Sequence, residues 1–188
     1  GMRGNFIPVV ERTNRLEVAE RTLADGTILE PVDTESVVVS ARTLLDQGCE
    51  AACVFFINGY ANGDNERRAV EAVRSIWPNA YVTAATEILP EIREFERLST
   101  ATLNAYLQPL VSSYLERLET ATSSRGFTGD ILVVQSNGGV MTVDTAKSLP
   151  VRTALSGPAA GVIAARAIAG AAGLNNIITC DMGGTSFD

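Results

Sequence analysis

The last eight residues of the chain, DMGGTSFD, have the types and the spacing needed to bind a phosphate group. A phosphate needs donors that point inward and a wall without side chains. Gly183 and Gly184 meet both needs, because a main chain without Cβ atoms turns tightly and presents its N–H groups. Thr185 and Ser186 add hydroxyl donors. We therefore expect residues 181–188 to form a phosphate-binding turn.

Asp181 opens this turn and follows an apolar run, residues 176–180, which we expect to be a buried strand. The carboxyl ends of strands are where α/β sheets usually hold a ligand. The Asp181 carboxylate is thus suited to hold Mg²⁺ through water or to orient an attacking water. The motif differs from the nucleoside-triphosphate loop G-x-x-x-x-G-K-[ST], since no lysine follows the glycines and the chain's only lysine is Lys147. The alternative is a plain hairpin turn, because short glycine motifs also match by chance.

A second turn, QSNGG at 135–139, follows another apolar run at 131–134. We expect the run to be a short buried strand. The turn residues tolerate positive φ, which indicates that they leave backbone amides bare to line a cleft. These candidate lining residues are Ser136, Asn137, Gly138 and Gly139. A plain strand-to-strand turn explains the same residues.

The composition excludes several classes of site. The chain has 188 residues, and 15 basic against 22 acidic residues give a net charge of −7, which repels nucleic acid and anionic lipid. Histidine is absent and the three cysteines lack zinc-type spacing, which excludes a structural zinc site and a Ser-His or Cys-His catalytic pair. Buried reduced thiols, with no membrane span or signal-peptide core, favour a cytoplasmic protein.

Local signals predict the elements of the first half of the chain. An Asp-Gly pair at 25–26 between two alternating runs predicts a β-hairpin. Asp33 or Thr34 begins a helix that Gly48 ends. The apolar run at 51–57 is typical of a strand in a parallel sheet.

A helix and a second strand then complete a βαβ unit. Asp64 can cap this helix, and the strand follows at 81–84.

A long helix is predicted from about Ser99, with a kink at Pro109. The charged stretch EIREFER, at 91–97, precedes it. We interpret these charges as a solvated or interdomain salt-bridged face, since charge runs usually lie on the surface, with a polar network beside a substrate as the alternative. The small residues after Ser156-Gly157-Pro158 predict a helix that lies close to a neighbour.

Several stretches resemble the ATP-dependent hydantoinase A / 5-oxoprolinase family, which includes large subunits of the acetone-carboxylase type. The final octapeptide looks like the second phosphate loop of the actin-like ATPase superfamily. The other matching stretches are EILPEIREFER (87–97), STATLNAYLQP (99–109), QSNGGVMTVDTA (135–146) and PVRTALSGPAAGV (150–162). One departure is Asn58-Gly59-Tyr60, where family members often read His-Ser-Tyr, so no role is carried over to residue 58.

The resemblance implies an α/β fold of the ribonuclease-H-like type, a partial mixed sheet with flanking helices. It implies ATP and Mg²⁺ as cofactors, a cyclic amide such as a hydantoin or 5-oxoproline as substrate, and a second subunit of the hydantoinase B type. ATP would phosphorylate the substrate's oxygen. Asp181 would act with Mg²⁺ in catalysis, while Gly183, Gly184, Thr185 and Ser186 would hold phosphate. A ketone carboxylase, a chaperone-like or filament ATPase and a non-catalytic packing module are the alternatives.

The resemblance also implies a domain organisation. We expect residues 1–2 to be a tag remnant or start. Residues 3–97 would be the end of the N-terminal hydantoinase/oxoprolinase region, and residues 98–188 the start of the main domain, truncated after the phosphate loop. Such an internal piece of a longer subunit is expected to be inactive alone.

Overall fold

The computed structural model describes residues 8–185 and residue 187. The chain divides into two compact units, Gly1–Pro109 and Leu110–Asp188, each with a hydrophobic core of its own. We call them unit 1 and unit 2. The expected domain boundary between residues 97 and 98 stays a prediction.

Unit 1 combines a β-hairpin, a βαβ unit and the first half of a long helix. In chain order its elements are a 3-10 helix at Arg12–Asn14, β1 (Arg21–Thr22), β2 (Ile28–Glu30), α1 (Thr34–Asp46), β3 (Ala52–Val54), α2 (Asp64–Arg74), β4 (Val82–Ala84), α3 (Ala85–Ile88) and the first half of α4 (Glu94–Ser123).

The predicted hairpin and first helix are confirmed. β1 pairs antiparallel with β2, and Gly26 closes the turn at φ +86°, a conformation that favours glycine. The Asp33 side chain caps α1 by accepting a hydrogen bond from Glu35 N at 3.0 Å, and Gly48 follows the helix at φ +81°. Local capping signals therefore fix both ends of this helix.

The βαβ unit is also confirmed, since β3 and β4 are parallel with Ala52 opposite Val82. α2 connects them and buries Val70 and Val73 in the core of unit 1. The predicted cap at Asp64 is wrong. Asn62 Oδ1 accepts a hydrogen bond from Asp64 N at 3.0 Å, so the chain turns before the helix and Asp64 is its first residue.

α4 begins at Glu94 rather than near Ser99, and it contains Pro109 as predicted. Acidic side chains in its first turn suit the positive end of the helix dipole. Its buried residues within unit 1 recur at helical spacing and form one face, which consists of Arg97, Ala101, Asn104, Ala105 and Gln108. Polar and charged side chains thus enter the interior of unit 1.

Unit 2 contains the rest of α4 and a small hairpin packed against it. The further elements are β5 (Leu132–Val134), β6 (Val140–Thr142), α5 (Val143–Ser148), a 3-10 helix at Pro150–Thr153, and α6 (Ser156–Ala171). β5 and β6 are antiparallel, with Val133 opposite Met141. The core consists of Leu115, Met141, Val143 and Ala146.

Two strand predictions in unit 2 need correction. The run at 131–134 forms β5, but it is partly exposed rather than buried, with Leu132 56% exposed. Residues 176–180 form no strand, and Ile178 is 94% exposed. A strand needs a neighbouring backbone to bond with, and no described residue hydrogen-bonds to the main chain of residues 175–181. The strand predicted at 176–180 from the apolar pattern alone is therefore wrong.

The expected α/β class is confirmed, whereas the single mixed sheet is not found in the described part of the chain. The described strands form three separate two-stranded sheets, of which only β3–β4 is parallel. The ribonuclease-H-like assignment stays a prediction. Within residues 8–185, no helix combines the length and apolarity needed to cross a membrane.

Candidate functional site

The glycine turn of the final octapeptide lies on the surface of unit 2. An antiparallel bridge joins Met182 to Phe187, and Gly183, Gly184 and Thr185 lie between its two residues along the chain. Asp181, Gly183 and Thr185 are exposed. A Cβ added at Gly184 would meet no heavy atom within 4 Å. Ser186 lies outside the described residues, so its predicted role is not addressed.

This turn fits a phosphate group. Among the described residues, none hydrogen-bonds to the amides of Gly183, Gly184 or Thr185. Exposed main-chain amides on a chain without Cβ atoms are the kind of donor that binds anions in main-chain loops. The hydroxyl of Thr185 adds a neutral donor. A hydrogen-bonded turn packed into the core would have excluded this role.

The predicted binding of a metal ion at Asp181 depends on the Asp181 carboxylate alone. The described residues contain no group of three or more Cys, Asp or Glu side chains arranged to hold a metal ion. Mg²⁺ commonly uses one or two carboxylates together with waters and substrate phosphates, so a lone exposed acid beside a phosphate turn suits it. Asp181 as a magnesium residue stays a prediction.

The turn at 135–139 differs from expectation in its hydrogen bonds. Ser136 N donates to Arg152 O at 2.7 Å, Gly138 N to Gln135 O at 2.9 Å, and Gly139 N to Asn137 Oδ1 at 2.9 Å. The expectation of bare amides is therefore wrong for these three. Ser136, Asn137 and Gly139 are exposed, so their side-chain and carbonyl groups are accessible.

Hydrogen bonds also tie this turn to the start of α6. Ser136 Oγ donates to Arg152 O at 2.8 Å and accepts from Leu155 N at 3.2 Å. Gly138 has φ +84°, and an added Cβ would lie 2.2 Å from Ile163 Cδ1. Within the described residues, no hydrogen bond links the turn to the final octapeptide. The structure thus gives the turn a fixed position, and its role in lining a cleft stays a prediction.

The charged stretch at 91–97 contains a buried group that the sequence did not predict. Arg97 has no exposed surface, whereas Glu91, Arg93 and Glu96 are exposed. The interpretation as a solvated face is therefore wrong for Arg97, because the start of α4 turns this side chain toward the segment after β3. Arg97 Nη2 donates to Phe56 O at 2.8 Å and pairs with the carboxylate of Glu94.

Glu66 on α2 is a second buried charged residue in the same place. Its Oε1 accepts hydrogen bonds from Thr86 N at 2.6 Å and Thr86 Oγ1 at 2.7 Å, and its Oε2 accepts one from Phe56 N at 3.3 Å. Burial raises the pKa of Glu66, while these hydrogen bonds and the charge of Arg97 oppose the rise. Glu66 therefore joins the segments that follow the two parallel strands.

Asn58 fixes the loop between β3 and α2. It has φ +59°, and its main-chain N donates to Glu94 Oε1 at 3.0 Å while Nδ2 donates to Thr22 O at 3.0 Å. Asparagine tolerates this left-handed conformation better than most residues. We call Arg97, Glu66, Glu94 and this loop the Arg97 cluster. Its only sequence signal was the helical spacing that places Arg97 on the face of Ala101 and Asn104.

The three cysteines are free thiols, as expected, but the expected full burial is wrong, since Cys49 and Cys53 are half-buried. Cys180 is exposed, because the segment that carries it is not a strand. Burial, with a contribution from the charge of Glu66, raises the pKa of Cys53 to about 12. A thiol with so high a pKa is not a nucleophile at neutral pH.

Comparison with known proteins assigns this α/β chain to a known enzyme family. Residues 3–77 match the model of the hydantoinase/oxoprolinase N-terminal region, and residues 97–188 match the hydantoinase/oxoprolinase model. The chain therefore belongs to the hydantoinase/oxoprolinase family, as the sequence motifs indicated. The family includes enzymes of ATP-dependent acetone carboxylation and an ATP-dependent caprolactamase.

Three relatives show the extent of the match. An uncharacterised protein of Methanocaldococcus jannaschii is 37% identical over 95% of this chain, and the caprolactamase subunit alpha of Pseudomonas jessenii is 33% identical over 96%. The nucleotide-free structure of acetone carboxylase matches 97% of this chain with a TM-score of 0.83 and 30% identity. The chain spans only 26% of the length of each.

Proposed function

We propose that the chain is part of a longer ATP-dependent enzyme subunit that hydrolyses a cyclic amide, such as a hydantoin or 5-oxoproline. Family membership supports ATP-dependent chemistry. The similarity to a caprolactamase subunit supports the substrate class, since a lactam is a cyclic amide. Because the chain spans about a quarter of its relatives, the activity belongs to the full-length subunit, and this piece alone is inactive.

The observation that carries the proposal is the open turn between Met182 and Phe187. Its exposed amides and the free space at Gly184 suit the phosphates of ATP. Gly183 and Gly184 hold a phosphate through their N–H groups, and Thr185 and Ser186 do so through their hydroxyls. Charge on a phosphoryl group is stabilised most by donors that are already in place.

When bound, ATP supplies a phosphoryl group for the carbonyl oxygen of the substrate, which makes the carbonyl carbon easier for water to attack. Asp181 holds Mg²⁺ through water, or orients the attacking water. Ser136, Asn137, Gly138 and Gly139 line the cleft. Because the amides of Ser136, Gly138 and Gly139 are already hydrogen-bonded, the turn would use side chains and carbonyl groups for this role.

Two broader features complete the proposal. The longer subunit has the ribonuclease-H-like fold of actin-like ATPases. It works with a second subunit of the hydantoinase B type, which is supported by relatives that are themselves named as subunits. We place the enzyme in the cytoplasm, where free thiols such as the three in this chain persist.

The test is MgATP binding by the full-length subunit with Asp181→Ala. We expect the dissociation constant for MgATP to rise about 10- to 100-fold, since a group that acts on a charged ligand typically contributes 1.5–3 kcal/mol. Isothermal titration calorimetry measures this directly. The matched control is Asp130→Ala, an exposed aspartate of unit 2 outside both turns, which should bind MgATP like the unaltered protein.

If the unaltered subunit and Asp181→Ala bind MgATP equally, Asp181 does not have the proposed role in MgATP binding. A full-length subunit that binds no MgATP would instead favour the packing-module alternative.

A second function, ATP-dependent carboxylation of a ketone, is favoured by the match to acetone carboxylase. Both reactions can begin with activation of a carbonyl oxygen. In hydrolysis, water then attacks the carbonyl carbon, whereas in carboxylation the neighbouring carbon loses a proton and attacks the carbon of a carboxyl donor. Product analysis separates them, because hydrolysis of a lactam gives an amino acid and carboxylation of acetone gives a keto acid.

A further inference from the structure

The guanidinium of Arg97 is buried with two of its three nitrogens unsatisfied. Nη2 donates to Phe56 O and pairs with the Glu94 carboxylate. Nε and Nη1 have no hydrogen-bond partner among the described residues. Arg97 has no exposed surface, so bulk water does not reach these donors. Buried donors are nearly always paired, and a charged one left unpaired is costly. The pattern points to a partner that is not part of the chain.

The position of Arg97 matches a ligand site of an α/β fold. Its contacts, Phe55, Phe56 and Tyr60, all lie in the segment after β3, and Glu66 links this segment to Thr86 after β4. Parallel strands place their carboxyl ends at the same edge of a sheet, and ligands bind at that edge. β3 and β4 are the parallel pair in the described part of the chain.

Two aromatic rings accompany the unpaired donors. Arg97 Cζ lies 4.6 Å from the centroid of the Phe55 ring and 5.7 Å from that of Tyr60, and both residues are half-buried. Small-molecule sites are typically apolar walls with a few convergent polar groups. This combination suits a compact apolar molecule that carries one oxygen acceptor.

The charge of the Arg97 cluster favours a neutral acceptor over an anion. Glu94 pairs with Arg97, and Glu66 brings a second carboxyl group to the same loop. The cluster therefore has no excess positive charge with which to attract a carboxylate or phosphate. A carbonyl oxygen accepts hydrogen bonds without adding charge.

We propose that Arg97 binds the carbonyl oxygen of the substrate, a cyclic amide or a ketone, while Phe55 and Tyr60 contact its apolar part. The inference rests on the proposed function and names the substrate-binding residue within unit 1. A Cβ at Gly59 would lie 2.9 Å from both Arg97 Nη1 and Glu66 Oε2, so the main chain of Gly59 lies against the unpaired donor. The segment 58–60 must therefore shift to admit the ligand.

The test is direct binding of ε-caprolactam and of acetone to the full-length subunit, with Arg97→Lys as the variant. Lysine keeps the charge but lacks the Nε donor and the planar fork. We expect the dissociation constant for the bound carbonyl compound to rise about 10- to 100-fold. The dissociation constant for MgATP should stay the same. Binding of ε-caprolactam would indicate a site for amides, and binding of acetone would indicate a site for ketones.

Trp77→Phe is the structural control. Trp77 is buried in the same unit, and its Nε1 donates to Glu50 O at 3.3 Å, before the start of β3 and away from the cluster. It should lower the melting temperature and leave carbonyl binding unchanged. If Arg97→Lys fails to fold, Tyr60→Ala replaces it, and affinity for the carbonyl compound should fall several-fold.

Carbonyl binding unchanged in Arg97→Lys, with only a lower melting temperature like that of Trp77→Phe, would overturn the proposal. An unaltered subunit that binds neither compound would overturn it as well. These results are independent of the proposed function, because MgATP binding and its loss in Asp181→Ala are measured separately.

Discussion

At the scale of single residues, the molecule buries one acidic group and one arginine, Glu66 and Arg97, in the interior of unit 1. Glu66 is fully buried and accepts hydrogen bonds from Phe56 N and from both Thr86 N and Thr86 Oγ1. Buried ionic groups are weak contributors to stability, because desolvation offsets their attraction. Substrate binding by Arg97, as proposed above, would give this costly burial a functional reason.

Glu66 gives stability a characteristic dependence on pH. Burial raises its folded pKa above the usual 4.5. Stability from the protonated carboxyl group is thus fully present below about pH 4.5 and is lost as the pH rises through the folded value. Each tenfold change in the ionisation constant corresponds to about 1.4 kcal/mol.

Glu66→Gln should remove this dependence, because glutamine does not ionise in this range. The free energy of unfolding of the unaltered chain, relative to that of Glu66→Gln, is expected to fall as pH rises from 4 to 7. Urea denaturation at several pH values measures the difference. A difference that stays constant, or grows with pH, would show that burial does not dominate at Glu66.

The burial of Arg97 shows where residue-level reasoning from sequence fails. Neighbouring charges in a sequence usually lie on the surface, and for Glu91, Arg93 and Glu96 that expectation was correct. Arg97 differs because its helix packs against the loop after β3, which is a tertiary contact. Helical spacing places Arg97 on the buried face of α4, but no local signal specifies the loop that this face contacts.

At the scale of elements, local signals predicted those structures that local interactions determine. The Asp25-Gly26 turn, the Asp33 cap and the glycine at 48 each form hydrogen bonds or adopt dihedral angles that depend on near neighbours. The run at 176–180 depends instead on a distant strand for its pairing. Its apolar pattern was therefore insufficient to predict its conformation.

The hairpin of β5 and β6 offers a sharp test at this scale. Gly138→Ala should destabilise unit 2 by about 1–2 kcal/mol from the positive φ alone, and further because the new methyl group would clash with Ile163. Thermal denaturation followed by circular dichroism measures the loss.

Gly161→Ala is the matched control for this change. Gly161 lies inside α6 with nothing within 4 Å of an added Cβ, so alanine should stabilise the helix by about 0.5–1 kcal/mol. Equal effects of the two substitutions would contradict the described turn geometry.

At the scale of the whole molecule, the chain is similar throughout to enzymes of which it covers about a quarter. Its final segment and α6 expose large apolar side chains, among them Ile178 and Ile168, which are 94% and 71% exposed. Exposed apolar surface of this kind marks contact sites. We therefore propose that activity belongs to the longer subunit, in which the turn after residue 181 would hold ATP.

The transfer of oxygen from substrate to phosphate tests this proposal most directly. A lactam labelled with ¹⁸O at its carbonyl group is incubated with ATP and the full-length enzyme, and the released phosphate is examined by mass spectrometry. If ATP phosphorylates the carbonyl oxygen, one ¹⁸O atom per turnover appears in phosphate. Phosphate that contains oxygen only from ATP and water, while the lactam is hydrolysed, would contradict the mechanism.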